Sequence, residues 1–193
     1  MEEKYKELLK KIYAILKPLG YGKEASDYRL FRPDGLARIV NIQRNKNNTA
    51  QSCIFTINIG VYFEKGDVIS NRKFKEYDCQ IRKRVKSGEN EEWWIIENDT
   101  DMEDLMESLQ NVLGHIEKWF NNFTSKEETI YKILDRSAEK FSDTMIMSYP
   151  TAKLIAEMGY QMEVYELIKD TKITNPKAIK LIELADQLKS NIK

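Results

Sequence analysis

Apolar positions recur at helical spacing over residues 4–19. Tyr5, Leu8, Leu9, Ile12, Ile15, Leu16 and Leu19 follow the i, i+3, i+4 rule and share one face, and Pro18 and Gly20 end the helix. The period then drops to two. Tyr28 and Leu30 alternate with Asp27, Arg29 and Phe31, Pro33-Asp34-Gly35 supplies a turn, and a second strand follows over 36–43, so residues 27–43 predict a hairpin. Residues 45–51 are wholly polar and read as a loop. Over 52–63, Cys53, Phe55, Ile57, Ile59, Val61 and Phe63 share one face of a long strand. Residues 64–77 read as a long exposed loop, 79–85 as a fourth strand, Ser87-Gly88 as a turn and 93–96 as a short fifth strand.

From Asp101 the period returns to 3.6. Met102, Leu105, Met106, Leu109, Val112, Leu113, Ile116, Trp119, Phe120 and Phe123 form one stripe, with Thr100 or Asp101 as the cap and early acids suited to the N-terminal dipole. Ser125-x-x-Glu128 is a capping box that opens another helix. Tyr149-Pro150 starts a third, which Gly159 breaks or bends, and Asn175-Pro176 starts the last. The pattern predicts an α+β domain over 1–123: a five-stranded antiparallel sheet with two long helices, 4–19 and 101–122, on one face. A helical C-terminal extension follows over 124–193.

The order of these segments resembles a known family. Leu16-Lys-Pro-Leu-Gly-Tyr21, then Tyr28-Arg-Leu-Phe-Arg32, Val40-Asn-Ile-Gln43, Phe55-Thr-Ile-Asn-Ile-Gly60, Cys79-Gln-Ile-Arg-Lys-Arg84 and Trp93-Trp94 before the long helix are similar to the bacterial family called domain of unknown function 4304. The resemblance covers roughly residues 5–122. It implies an α+β fold and no mechanism, since the family carries no established activity, and it leaves the tail from residue 124 outside.

Composition narrows the function classes. The 193 residues hold 31 basic and 31 acidic side chains, so there is none of the basic excess that nucleic-acid binding needs. Charged residues make up 32%, above the usual ~25%, which describes a globular chain with a charged skin. No apolar run reaches the ~18 residues of a membrane span, and the charged start lacks the apolar core of a secretory signal, so a cytoplasmic location is expected. Two cysteines cannot build a disulfide scaffold.

Charge is segregated locally. Residues 72–86 hold seven bases against two acids, and 89–107 hold nine acids and no base. If the fourth and fifth strands pair, these charges face each other across a hairpin, each exposed pair contributing ~0–1 kcal/mol.

Strand parity locates the candidate site. One face collects Leu36, Val40, Ile42, Phe55, Ile57, Ile59, Cys79, Ile81 and Val85 against the helices, and the other collects Asn41, Gln43, Thr56, Asn58, Gln80, Arg82 and Arg84. Gln43 and Asn58 are expected to hydrogen-bond, Arg82 and Arg84 to clamp an anion, and Trp94 (or Tyr62) to anchor by stacking. Two plainer readings compete: a polar face simply left wet, or one covered by the tail with its groups bonded to each other. His115, the only histidine, falls about 100° from the centre of the helix stripe. A dyad with Cys53 or Cys79 is conceivable, but both thiols are placed in the core, where they are inert. A His–Cys–Cys metal set lacks a fourth ligand, and no P-loop, GxGxxG, HExxH or GxSxG occurs, so no metal or cofactor is expected. Met145, Met147, Met158 and Met162 with Tyr149, Tyr160 and Tyr165 offer an adaptable apolar surface or simply the tail's core. The expectation is a non-enzymatic binding or interaction module using the polar sheet face, with a protein partner. The alternative is an enzyme or receptor for a small anionic ligand in the same groove. Oligomeric state is left open.

Overall fold

A computed structural model describes residues 1–88, 93–173 and 175–191. The order is α1 (Glu2–Leu16), β1 (Gly22–Glu24), β2 (Asp27–Phe31), β3 (Leu36–Arg44), β4 (Ser52–Phe63), β5 (Ile81–Val85), β6 (Trp94–Glu97), α2 (Met102–Phe120), α3 (Lys126–Leu134), α4 (Tyr149–Glu157), α5 (Gln161–Ile168) and α6 (Pro176–Asn191). The class is α+β: an antiparallel six-strand sheet with helices and a C-terminal helical region. Five strands run in the order β1-β2-β3-β4-β5. The strand beyond the expected five is β1, which pairs with β2 through the two-residue turn Ala25-Ser26.

The fourth and fifth expected strands do not form a hairpin. Phe55 is in register with Arg44 of β3 on one side and with Trp94 of β6 on the other. β6 therefore lies on the same side of β4 as β5, and the two meet the twelve-residue β4 end to end. Within the described residues β5 and β6 each pair with β4. Of the acidic run, Glu89, Glu91 and Glu92 lie outside the described residues.

α1 and α2 pack on the face that carries Tyr28, Val40, Ile42, Phe55, Ile57, Ile59, Val61 and Phe63, all buried. Each such side chain contributes about 1.5–3 kcal/mol on leaving water. Two buried tyrosine hydroxyls find acceptors: Tyr5 donates to Ile42 O at 3.0 Å and Tyr28 to Leu9 O at 2.8 Å. Asp101 caps α2 by accepting from the N–H groups of Glu103 and Asp104. The helix opened by Ser125 ends at Leu134, and Arg136 then turns left-handed (φ 66°). Gly159, at φ 107°, separates α4 from α5 as its position suggests. Among the described residues no helix is long and apolar enough to cross a membrane.

The opposite face is not wholly polar. Ile69 and Phe74, from the segment expected to be exposed loop, are buried on it with Ala37, Ile39 and Cys79. Cys79 is thus on this face rather than among the helix-facing residues. It precedes the first residue of β5 and follows a 3-10 turn at Glu76–Asp78, so strand parity does not extend to it. Gln80 also leaves the expected row, its Oε1 accepting the Phe63 N–H at 3.0 Å.

Candidate functional site

The other half of that face carries a cross-strand row. Asp27, Asn41, Asn58 and Arg84 stand in register on β2, β3, β4 and β5. Arg84 Nε donates to Asn58 Oδ1 at 3.1 Å, Asn58 Nδ2 to Asn41 Oδ1 at 3.3 Å, and Asn41 Nδ2 to Asp27 Oδ1 at 2.6 Å. Every donor points toward the carboxylate. The guanidinium has no acceptor to offer, so Asn58 must turn its oxygen toward Arg84 and its nitrogen toward Asn41. Asn58 Nδ2 also donates to Gln43 Oε1 at 2.8 Å. Asp27 Oδ2 receives Arg29 Nη2 and Lys75 Nζ, both at 2.7 Å. Hydrogen bonds aligned in one direction polarise each other, and a buried chain of this kind fixes the register of four strands at once.

The expected site residues divide accordingly. Gln43, Asn58 and Arg84 come together in the row. Arg82 stands one row away, with Nε and Nη2 donating to Glu76 Oε1 at 2.9 and 2.6 Å. Trp94 does not join them: its register with Phe55 puts it on the helix side, stacked on that ring at 5.7 Å and only 7% exposed. The aromatic near the row is Trp93, whose ring centroid lies 5.6 Å from the Arg84 guanidinium carbon. Tyr62, on the polar side, stacks on Phe74 at 4.2 Å. Asn58, at the middle of the row, is only 3% exposed and bonded on both sides.

Open space lies beside the row, around β5. On the helix side a groove of about 550 Å³ runs between β5 and α2. Its walls are Ile59 and Val85 of the sheet and Val112, Ile116 and Trp119 of α2, the helix residues being spaced to share one face. Lys83, Arg84, Lys86 and His115 supply donors to its lining, and Asp143 is the one acid among the described lining residues. Lys83 follows from register: it pairs with Ile59, so it faces the helices, but at the sheet margin, where its ammonium can reach water. His115 is exposed, consistent with its place beside the apolar stripe. On the polar side a smaller hollow of about 200 Å³ is lined by Asn58, Glu76, Arg82, Arg84 and Thr144, and Lys83 and Asp143 line both spaces.

The tail reaches this site at the sheet edge. Trp119 Nε1 donates to Phe141 O at 3.0 Å, and Ser142 and Asp143 then cross the outer edge of β5. The methionine-rich surface is divided. Met145 and Met162 are exposed, whereas Met147, Met158, Tyr149, Tyr160 and Tyr165 pack on the core. Burial raises the Cys53 thiol and holds the Cys79 thiol well above its ordinary range, which keeps both protonated and poorly nucleophilic. Cys79 also lies on the far side of the sheet from α2 and its His115. Among the described residues no three His, Cys, Asp or Glu side chains gather as a metal site.

A model of the family described as "Domain of unknown function (DUF4304)" matches residues 12–122, more than half of the chain. That interval contains the cross-strand row and every groove residue named above except Asp143. No curated protein and no solved structure matches the chain.

Proposed function

Since the chain belongs to the family described as domain of unknown function (DUF4304), whose description names no activity, we propose from its geometry that it is a non-enzymatic binding module whose site is the groove between β5 and α2. The ligand is an anion with an apolar body. One observation carries this reading: a cleft of about 550 Å³ with apolar walls has, among the described lining residues, three basic side chains and one acid at its rim. Pockets for small organic ligands span roughly 300–1,000 Å³, with apolar walls and a few placed polar groups. The cross-strand row supports the site from behind by holding Arg84 through Asn58. The polar face therefore serves as scaffold, and recognition moves to its margin.

The test is a fluorescence titration with 8-anilinonaphthalene-1-sulfonate, whose fused rings and fixed negative charge match the lining. The expected result is saturable one-site binding that weakens about tenfold in Lys83→Glu and is unchanged in the exposed α1 control Lys10→Glu. Equal binding by Lys83→Glu, or no saturable signal, rejects the groove as the site. A second reading, an enzyme acting on the same anion, has His115 in the groove lining in its favour. On that reading His115→Ala abolishes turnover of a bound ester or phosphate while leaving the titration intact.

A further inference from the structure

The groove ends at an edge strand. One side of β5 pairs with β4, and the other presents outward main-chain groups at Arg82 and Arg84, an opening that soluble proteins cover. Here the cover is two residues of the tail. Asp143 N–H donates to Arg82 O at 3.0 Å, and Ser142 Oγ donates to the same oxygen at 2.9 Å. Ser142 Oγ also accepts the Arg82 N–H at a long 3.4 Å, and Asp143 Oδ2 accepts the Arg84 N–H at 2.8 Å. Only the first of these four is a main-chain pair. The strap imitates a neighbouring strand with side chains, at the two alternate positions a real strand would use.

The surroundings state what such a strand would carry. Side chains of an added strand alternate between the two faces. On one face they enter the apolar groove over Ile59, Val85 and Trp119. On the other they enter the polar hollow, where, among the described lining residues, Arg82, Lys83 and Arg84 outnumber the single acid Glu76 once Asp143 is displaced. The strap's own carboxylate shows that the edge accepts an anion at the Arg84 N–H.

We propose that the partner of the groove is an extended peptide segment of alternating apolar and acidic residues, which pairs with β5 at Arg82 and Arg84 in place of the Ser142–Asp143 strap. This rests on the groove reading above and narrows its ligand to a peptide strand. The strap is then a built-in competitor that sets the affinity of the edge.

The experiment uses the full chain and a fluorescein-labelled peptide, acetyl-Leu-Glu-Val-Glu-Leu-amide, followed by anisotropy and by the amide resonances of Arg82 and Arg84. The expected results are saturable binding with shifts at both amides, and loss of binding when the peptide is N-methylated on its pairing edge. Asp143→Ala should bind about fivefold more tightly, because the strap has lost one hydrogen bond. Asp143→Asn, which keeps an acceptor for the Arg84 N–H, should tighten binding less and serves as the measurement if the alanine variant does not fold. Undiminished binding of the N-methylated peptide overturns strand pairing. Unchanged or weaker binding by both Asp143 variants overturns the competitor role. If the peptide fails while the naphthalene sulfonate still binds in a Lys83-dependent way, the peptide proposal falls and the groove stands. If neither probe binds, both fall.

Discussion

Glu64 shows how one carboxylate organises a segment that carries no periodic signal. It accepts from Ser70 N at 2.8 Å, Ser70 Oγ at 2.6 Å, Asn71 N at 2.9 Å and Tyr62 Oη at 2.9 Å. Burial alone would raise its pKa, but these donors outweigh it and lower the value from 4.5 to about 2. A carboxylate depressed in the folded state stabilises the fold above its unfolded value. That contribution fades as pH falls from about 4.5 toward 2. Glu64→Gln should therefore lose on the order of 1–3 kcal/mol at pH 7, after allowing for solvent screening, and progressively less as the pH falls toward 2. Urea unfolding at pH 7, 4 and 2.5 checks this, and a loss that is the same at every pH would assign the effect to packing. Other single-residue features were legible. Gln43, Asn58 and Arg84 follow from alternation alone, because their strands are long and one face is plainly apolar. Trp94 did not follow, since in a Trp-Trp pair the choice of face depends on register with Phe55, a contact 39 residues away in the chain that no local pattern encodes.

Among the elements, the close approach of Cys79 to β4 makes the sharpest demand. Gly60 faces the apolar cluster of the second face, where an added Cβ would lie 2.6 Å from Cys79 Sγ and 2.8 Å from Cys79 Cβ. Cys79 cannot easily retreat, because the next residue is tied to β4 by Gln80 N–H to Val61 O at 3.1 Å. Gly60→Ala should cost about 1–3 kcal/mol by overpacking. Adding Cys79→Ala removes the sulfur contact and leaves the Cβ contact, so the double variant should recover part of the loss in chemical denaturation. A double variant no more stable than Gly60→Ala alone would place the strain elsewhere. The elements that escaped the sequence reading have identifiable causes. β1 was hidden because its turn, Ala25-Ser26, has neither Gly nor Asn, and Ala25 adopts φ 53° without them. The end-to-end placement of β5 and β6 was hidden because alternation reports which face a residue takes and is silent on which strand lies beside it.

At the scale of the whole molecule, the boundary near residue 124 that the change of periodicity suggests is crossed by packing. Phe120 and Phe123 share one continuous core with Ile130, Ile133, Ile146 and Ile155 of the tail. Polar ties cross it as well. Arg32 Nη2 donates to Thr124 O at 2.5 Å, and Lys126 Nζ reaches Gly66 O at 2.9 Å and Asp67 Oδ1 at 3.1 Å, pinning the loop that covers the second sheet face. The tail also closes the β5 edge. Removing residues 124–193 would thus expose Trp119, Phe120 and Phe123 together with a bare edge strand, the pairing surface most prone to self-association. Deletion to residue 123 should abolish the cooperative transition or drive the fragment into oligomers, read by thermal unfolding and size-exclusion chromatography. A monomeric fragment that melts cooperatively at the full chain's temperature would make the tail a true appendage. The same result would weaken the strap's role, because a fold that tolerates an open β5 edge has no need of Ser142 and Asp143 to cover it.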